Sequence, residues 1–115
     1  MIARVWHGWT RPENGDAYEA FLSGALLPAL KNRVPGFRGG YVLRRRRGTE
    51  DEFAVVTFFD SLDAVRAFAG KEYDVPVIEP EAARLLSRFD ERAVHYERVA
   101  RWTSTPPAEG PRLVH

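Results

Sequence analysis

Apolar residues along the chain follow two spacings, and the switches between them predict its elements. IARVWHGW, residues 2–9, is rich in β-branched and aromatic residues and predicts a strand. TRPENGD follows as a turn, with Asp16 placed to cap a helix. Ala17, Phe21, Leu22, Ala25, Leu26, Ala29 and Leu30 then recur at helical spacing. Pro28 lies inside that run and predicts a kink or an early stop. VPGFRGG is a break. YVLRRRR and EFAVVTFF are strand-like runs joined by the hairpin loop GTED. In DSLDAVRAFAG, Asp60 or Ser61 caps a short helix, Leu62, Val65, Phe68 and Ala69 form its buried stripe, and Gly70 closes it. KEYDVPVI is irregular. Pro80 opens a second short helix, PEAARLLSRF, and DERAVHYERVARW predicts the last strand.

The order strand, helix, strand, strand, helix, short helix, strand is the βαββαβ arrangement of the ferredoxin-like folds, an α+β class with one four-stranded antiparallel sheet. Right-handed crossovers put the first strand between the third and fourth. Helices cover one face of such a sheet. The third strand, FAVVTFF, is apolar on both alternating sets, whereas an antiparallel strand with a wet face alternates apolar and polar. Its second face therefore needs cover, and the chain has no further elements to supply it. A homodimer, sheet against sheet, is the expected solution. After Trp102 the composition shifts to TSTPPAEGPRLVH, with three of the eight prolines, so the domain is expected to span residues 1–102 and a tail residues 103–115.

Charge and composition narrow the function classes. Four of the 17 basic residues form the run 44–47. Outside it, 13 basic residues face 16 acidic ones, so the chain is not a nucleic-acid binder of the basic type. Arg44 and Arg46 point one way on a strand and Arg45 and Arg47 the other, which suits a solvated sheet edge. There is no cysteine, which excludes disulfides and thiolate chemistry. No apolar run reaches the roughly 20 residues of a membrane span, and the N-terminus lacks a signal-peptide layout, so a cytoplasmic protein is expected.

The succession W.GWT, PGFRGGYVLRR, VTFFDSLDAVRAFAG and VHYERV, across roughly residues 2–100, resembles the antibiotic-biosynthesis-monooxygenase-like family. The resemblance implies a dimeric α+β barrel built from two ferredoxin-like protomers. It implies one of two activities: oxidation of polycyclic phenols to quinones by O2 without metal or flavin, or degradation of heme held between sheet and helices. The heme degraders use an Asn on the first strand, a Trp on the second helix and a His after it. Here VWHGW has no Asn, Phe68 stands where the Trp is expected, and KEYDVPVIEPEAARLL has no histidine. Heme degradation is therefore disfavoured, and no bound cofactor is expected.

His95 and His7 are the candidate catalytic bases. Alternation puts Ala3, Val5, His7 and Trp9 on one face of the first strand, and Ala93, His95, Glu97 and Val99 on one face of the last. If those faces coincide, two imidazoles line one wall of a pocket, where neutral imidazole is a competent base for making a phenolate. The alternative role is a half-buried histidine hydrogen-bonded to its neighbours. No HxH or HxxxH spacing supports a metal site. Tyr96 lies on the face opposite His95, so at most one of the two faces a given pocket. Trp6, Trp9, Tyr18, Phe21 and Phe68 can wall in a small aromatic ligand or simply fill the core, and Arg44 can reach a substrate anion. Two readings of function follow: a cofactor-independent monooxygenase acting on a small aromatic or polyketide-like compound, and a non-catalytic binding or accessory protein on the same scaffold.

Overall fold

The computed structural model describes residues 1–104. From residue 105 on, the expected tail lies outside the described residues. The elements are β1 (Ile2–Thr10), α1 (Pro12–Phe21), a π-helical segment (Leu22–Leu26), α2 (Leu27–Arg33), β2 (Phe37–Arg46), β3 (Asp51–Phe59), α3 (Leu62–Ala69), α4 (Pro80–Leu85), β4 (Leu86–Phe89) and β5 (Val94–Glu97). The sheet is antiparallel, in the order β2-β3-β1-β4, with β5 also paired to β1. It is the ferredoxin-like α+β arrangement, with the fourth strand position shared by two short strands.

Four local expectations are corrected. The first helix begins at Pro12, four residues before Asp16, because proline's fixed φ suits the first helical position. Asp16 is not the cap; its carboxylate instead accepts from Arg44 at 2.8 Å. Of the two outcomes expected at Pro28, a kink or an early stop, the stop does not occur, and the helix runs on to Arg33. Proline lacks an N–H and crowds the carbonyl four residues back, and the chain widens into a π turn just before it, with Leu27 N–H donating to Leu22 O. The helix opened by Pro80 ends at Leu85 rather than running to Phe89, and the last strand ends at Glu97 rather than Trp102. Asp90 separates β4 from β5, its backbone N–H donating to His7 O at 2.9 Å and its carboxylate accepting from the His7 N–H at 3.0 Å.

Other signals act as read. Ser61 caps α3, its Oγ accepting from the Ala64 N–H at 3.2 Å, and Gly70 ends that helix at φ 89°. β3 is apolar on both faces: Phe53, Val55, Thr57 and Phe59 are buried under the helices, while Ala54, Val56 and Phe58 lie on the opposite face. The covered face carries two core clusters, one around Trp6, Tyr18, Leu22 and Phe53, the other around Leu30, Phe59 and Val65. Full burial of each such side chain is worth about 1.5–3 kcal/mol. The opposite face exposes Tyr41 and Leu43 of β2 and Val94 and Tyr96 of β5.

β2 is an edge strand and Arg45, Arg46 and Arg47 are exposed there, as expected, but the Arg44 side chain is not solvated. Its side chain is only 9% exposed and joins α1 to the hairpin, with Asp51 at 2.6 Å, Asp16 at 2.8 Å and Glu19 at 3.1 Å. These carboxylates, the Asp16 hydrogen bond foremost, hold the guanidinium well above its ordinary pKa. Gly15 makes this approach possible, since a Cβ there would collide with both the Arg44 guanidinium and the Asp51 carboxylate. Gly→Ala in an open helix stabilises by roughly 0.5–1 kcal/mol. Gly15→Ala is expected to destabilise instead, by about 2 kcal/mol or more, because it pries apart a buried ion pair. Urea unfolding of the variant checks the sign.

Candidate small-molecule site

Alternation along β1 sends Arg4, Trp6, Gly8 and Thr10 toward the helices. Between this row and the helices lies a partly open cavity of about 40 Å³. Its floor includes Arg4, Trp6 and Thr57, and its roof includes Tyr18, Phe21 and Phe68. The volume suits about two or three water molecules. Phe21, Leu26 and Glu79 also line a more open outer groove of about 570 Å³ between the π-helical segment and the start of α4, so they partition the two spaces.

Arg4 is the unusual member of this lining. It is 6% exposed, and its polar contacts are two backbone carbonyls, of Tyr73 and Val75, each at a long 3.4 Å. Its Nε is buried without a hydrogen-bond partner among the described residues. Its guanidinium lies 5.2 Å from the centre of the Phe68 ring. Burial pulls its pKa down to about 10, and Asp74 offsets this only in part, Asp74 itself being paired with Arg92 at 3.2 Å. At neutral pH the group is still charged. A buried cation with an unused N–H on a cavity wall is an anion-binding arrangement.

His95 pairs in register with Arg4, so its side chain lies on the same, helix-covered face. Its ring stands nearly perpendicular to that of Tyr73, with centroids 5.0 Å apart, and its Nε2 is buried without a hydrogen-bond partner among the described residues. Burial, then the Arg4 charge, lowers its pKa, with Asp74 opposing, so the imidazole is neutral at pH 7. His95 is the neighbour of Arg4 across the β1–β5 pair and is not part of the cavity lining.

The expected wall of two histidines is not formed. His7 is on the uncovered face of the sheet, where its Nδ1 is 2.8 Å from Asp90 Oδ2 and its ring stacks on Trp9 at 6.1 Å. The register of β1 against β5 is the reason: Arg4, an even position, faces His95, so the odd set with His7 faces the other way. Trp9 is likewise outside the cavity, held by Arg88 over its ring at 3.9 Å and by Glu52 at 3.3 Å. Tyr96 is 57% exposed beside Ala3 on the uncovered face, opposite in direction to His95. Arg44 serves the ion cluster with Asp16, Glu19 and Asp51 and is not among the lining residues. Trp6, Tyr18, Phe21 and Phe68 do line the cavity. Among the described residues, no cluster of three or more metal-ligating side chains occurs.

Arg4 was the residue missed by sequence reasoning, although a signal existed: it is the one charged side chain on β1, on the alternate set that carries Trp6 and Gly8. An unpaired buried charge lowers stability, so Arg4→Met is expected to raise stability by about 1–3 kcal/mol. Urea unfolding monitored by fluorescence reads this; a clear loss of stability would mean that Arg4 is structurally satisfied.

No family model matches the sequence, and no curated protein does. Solved structures share the fold. A candidate antibiotic biosynthesis monooxygenase from Bacillus cereus is 12% identical, with a TM-score of 0.62 over 90% of this chain and 97% of that one. A candidate monooxygenase of the same description from Deinococcus radiodurans is 13% identical, with a TM-score of 0.63 over 92% of this chain and all of that one. The heme-degrader MhuD of Mycobacterium tuberculosis, solved with two hemes bound in its active site, is 21% identical, with a TM-score of 0.57 over 90% of this chain and all of that one. At this distance the likeness establishes architecture: the chain has the ferredoxin-like α+β fold of the antibiotic-biosynthesis-monooxygenase-like proteins.

Proposed function

We propose that the protein binds a small aromatic compound bearing an ionisable oxygen in the cavity above Arg4, and oxidises it with O2 without a bound cofactor. The observation that carries this reading is the buried, incompletely partnered Arg4 on the floor of an aromatic-lined cavity. A phenolate or enolate oxygen supplies the acceptor that the Nε–H lacks. The surrounding rings of Trp6, Tyr18, Phe21 and Phe68 suit a flat apolar body. The described monooxygenase relatives support the choice of chemistry.

The cavity is too small for an aromatic ring as it stands. Displacement of Phe21 and Leu26 toward the outer groove joins the two spaces and admits one, since side-chain rearrangement on binding is common. Arg4 stabilises the ionised substrate, and a phenolate gives an electron to O2 far more readily than a phenol. The oxidation needs no reductant. One oxygen atom enters the ring as a quinone carbonyl, the other leaves as water with the phenolic and ring hydrogens, and the substrate supplies all four electrons.

Neither histidine lines the cavity, and that observation favours the second reading, a non-catalytic binding protein. Oxygen uptake with hydroxylated naphthalenes separates the two. Turnover that falls about 100-fold in kcat/KM in Arg4→Gln is expected. Saturable binding without oxygen uptake would leave the binding protein as the answer, and absence of both would remove the site.

The uncovered sheet face is covered by a second copy of the chain in this reading. Val56 sits centrally on it, between Val5 of β1 and Tyr41 of β2. Tyr41, Leu43, Val94 and Tyr96 extend the apolar area across all the strand positions. Equilibrium sedimentation at micromolar concentration is expected to give twice the chain mass of 13.1 kDa, and Val56→Lys to give the chain mass itself. A folded monomeric wild type would overturn the dimer.

A further inference from the structure

We infer that Arg4 and His95 form a proton-coupled anion site, in which an anion seated against Arg4 draws a proton onto His95. The inference rests on the reading of the cavity as a ligand site and adds the proton uptake that accompanies binding.

Placement comes first. Arg4 and His95 are register partners on β1 and β5, and their side chains share the helix-covered face. Such partners lie about 5 Å apart at Cβ. Each carries a buried nitrogen with no hydrogen-bond partner among the described residues, Nε of Arg4 and Nε2 of His95. Arg4 lines the cavity, and His95 does not.

The charges around His95 leave one variable. Arg4 opposes its protonation, and Asp74 favours it. Asp74 is tied to Arg92. The Tyr73 ring stands nearly perpendicular to the imidazole, and Arg66 of α3 lies over that tyrosine ring, 5.3 Å from its centre. Glu97 is two positions along β5. Of these charged groups only Arg4 lines the cavity, so only its charge is cancelled when a ligand anion arrives. The ligand does not strip water from His95, which is outside the lining. Cancelling the Arg4 charge therefore acts in one direction and makes the imidazole a better base.

The proton balance follows. A phenol bound as phenolate gives up its O–H proton to solvent and the neutral imidazole takes one up, leaving phenolate at Arg4 and imidazolium at His95, with no net change of charge. An anion without a proton of its own, such as a sulfonate, takes that proton from solvent. By linkage, sulfonate binding then tightens as pH falls through the His95 titration, because protonated His95 is the form the anion favours.

The His95 ring is followed by NMR through a pH titration in three samples: wild type, Arg4→Gln, and wild type with 1-naphthalenesulfonate, assigned with His95→Gln. The midpoint is expected to move upward in Arg4→Gln and upward again with the sulfonate. An unchanged or lower midpoint in Arg4→Gln overturns the coupling without any ligand being involved. A sulfonate that shifts the Trp6 indole signal yet leaves the His95 midpoint in place overturns it as well. If the sulfonate leaves Trp6 unmoved, the cavity reading fails, and the Arg4→Gln titration alone decides whether the two side chains are coupled.

Discussion

The two inner strands, β1 and β3, carry apolar side chains on both faces, while the described chain has helices for only one. Everything else in the molecule answers to that imbalance. The helices settle on the face that holds Trp6, Phe53 and Phe59, and their burial there holds the domain together. The opposite face keeps Val5, Ala54, Val56 and Phe58 in a broad apolar area bordered by Tyr41 and Tyr96. The site lies on the covered side, where packing is close but not complete.

Two arginines show how the same side chain serves different ends. Arg44 is buried among three carboxylates and clamps α1 to the β2–β3 hairpin, with Gly15 allowing the close approach. Its charge is fully used within the fold. Arg4 lies deeper in the protein but meets only two carbonyls at 3.4 Å and an aromatic ring, so its charge is available to a ligand. A fold that tolerates an underused buried cation gives up stability at that point, as binding sites commonly do.

The helical side of the cavity is shaped by Pro28. Because proline cannot complete the helical ladder, the chain widens into the π-helical segment, and that segment supplies Leu22 and Leu26 to the roof, with Phe21 at its edge. The partition between the inner cavity and the outer groove thus falls where the helix is least regular. At the floor, the Arg4–His95 pair places a neutral imidazole next to a cation, an arrangement that responds to whatever charge enters the cavity.

Local spacing determined most of the architecture. The two-residue alternation of IARVWHGW and FAVVTFF, the Ser61 cap and the Gly70 stop, and the order of elements were enough to give an α+β sheet with β1 between β3 and the last strand position, and to show that one face lacked cover. Local spacing also placed Trp6, Tyr18, Phe21 and Phe68 among the candidate walls. What it could not supply was cross-strand register. Alternation states which residues of a strand share a face, but the pairing of Arg4 with His95 depends on how β5 docks beside β1 after the break at Asp90, a relation between segments some ninety residues apart. That single register separates His7 from His95 and brings Arg4 to the cavity floor. Likewise, only the approach of α1 to the hairpin decided that Arg44 is a clamp, because burial and ion pairing arise from distances in space rather than spacing along the chain.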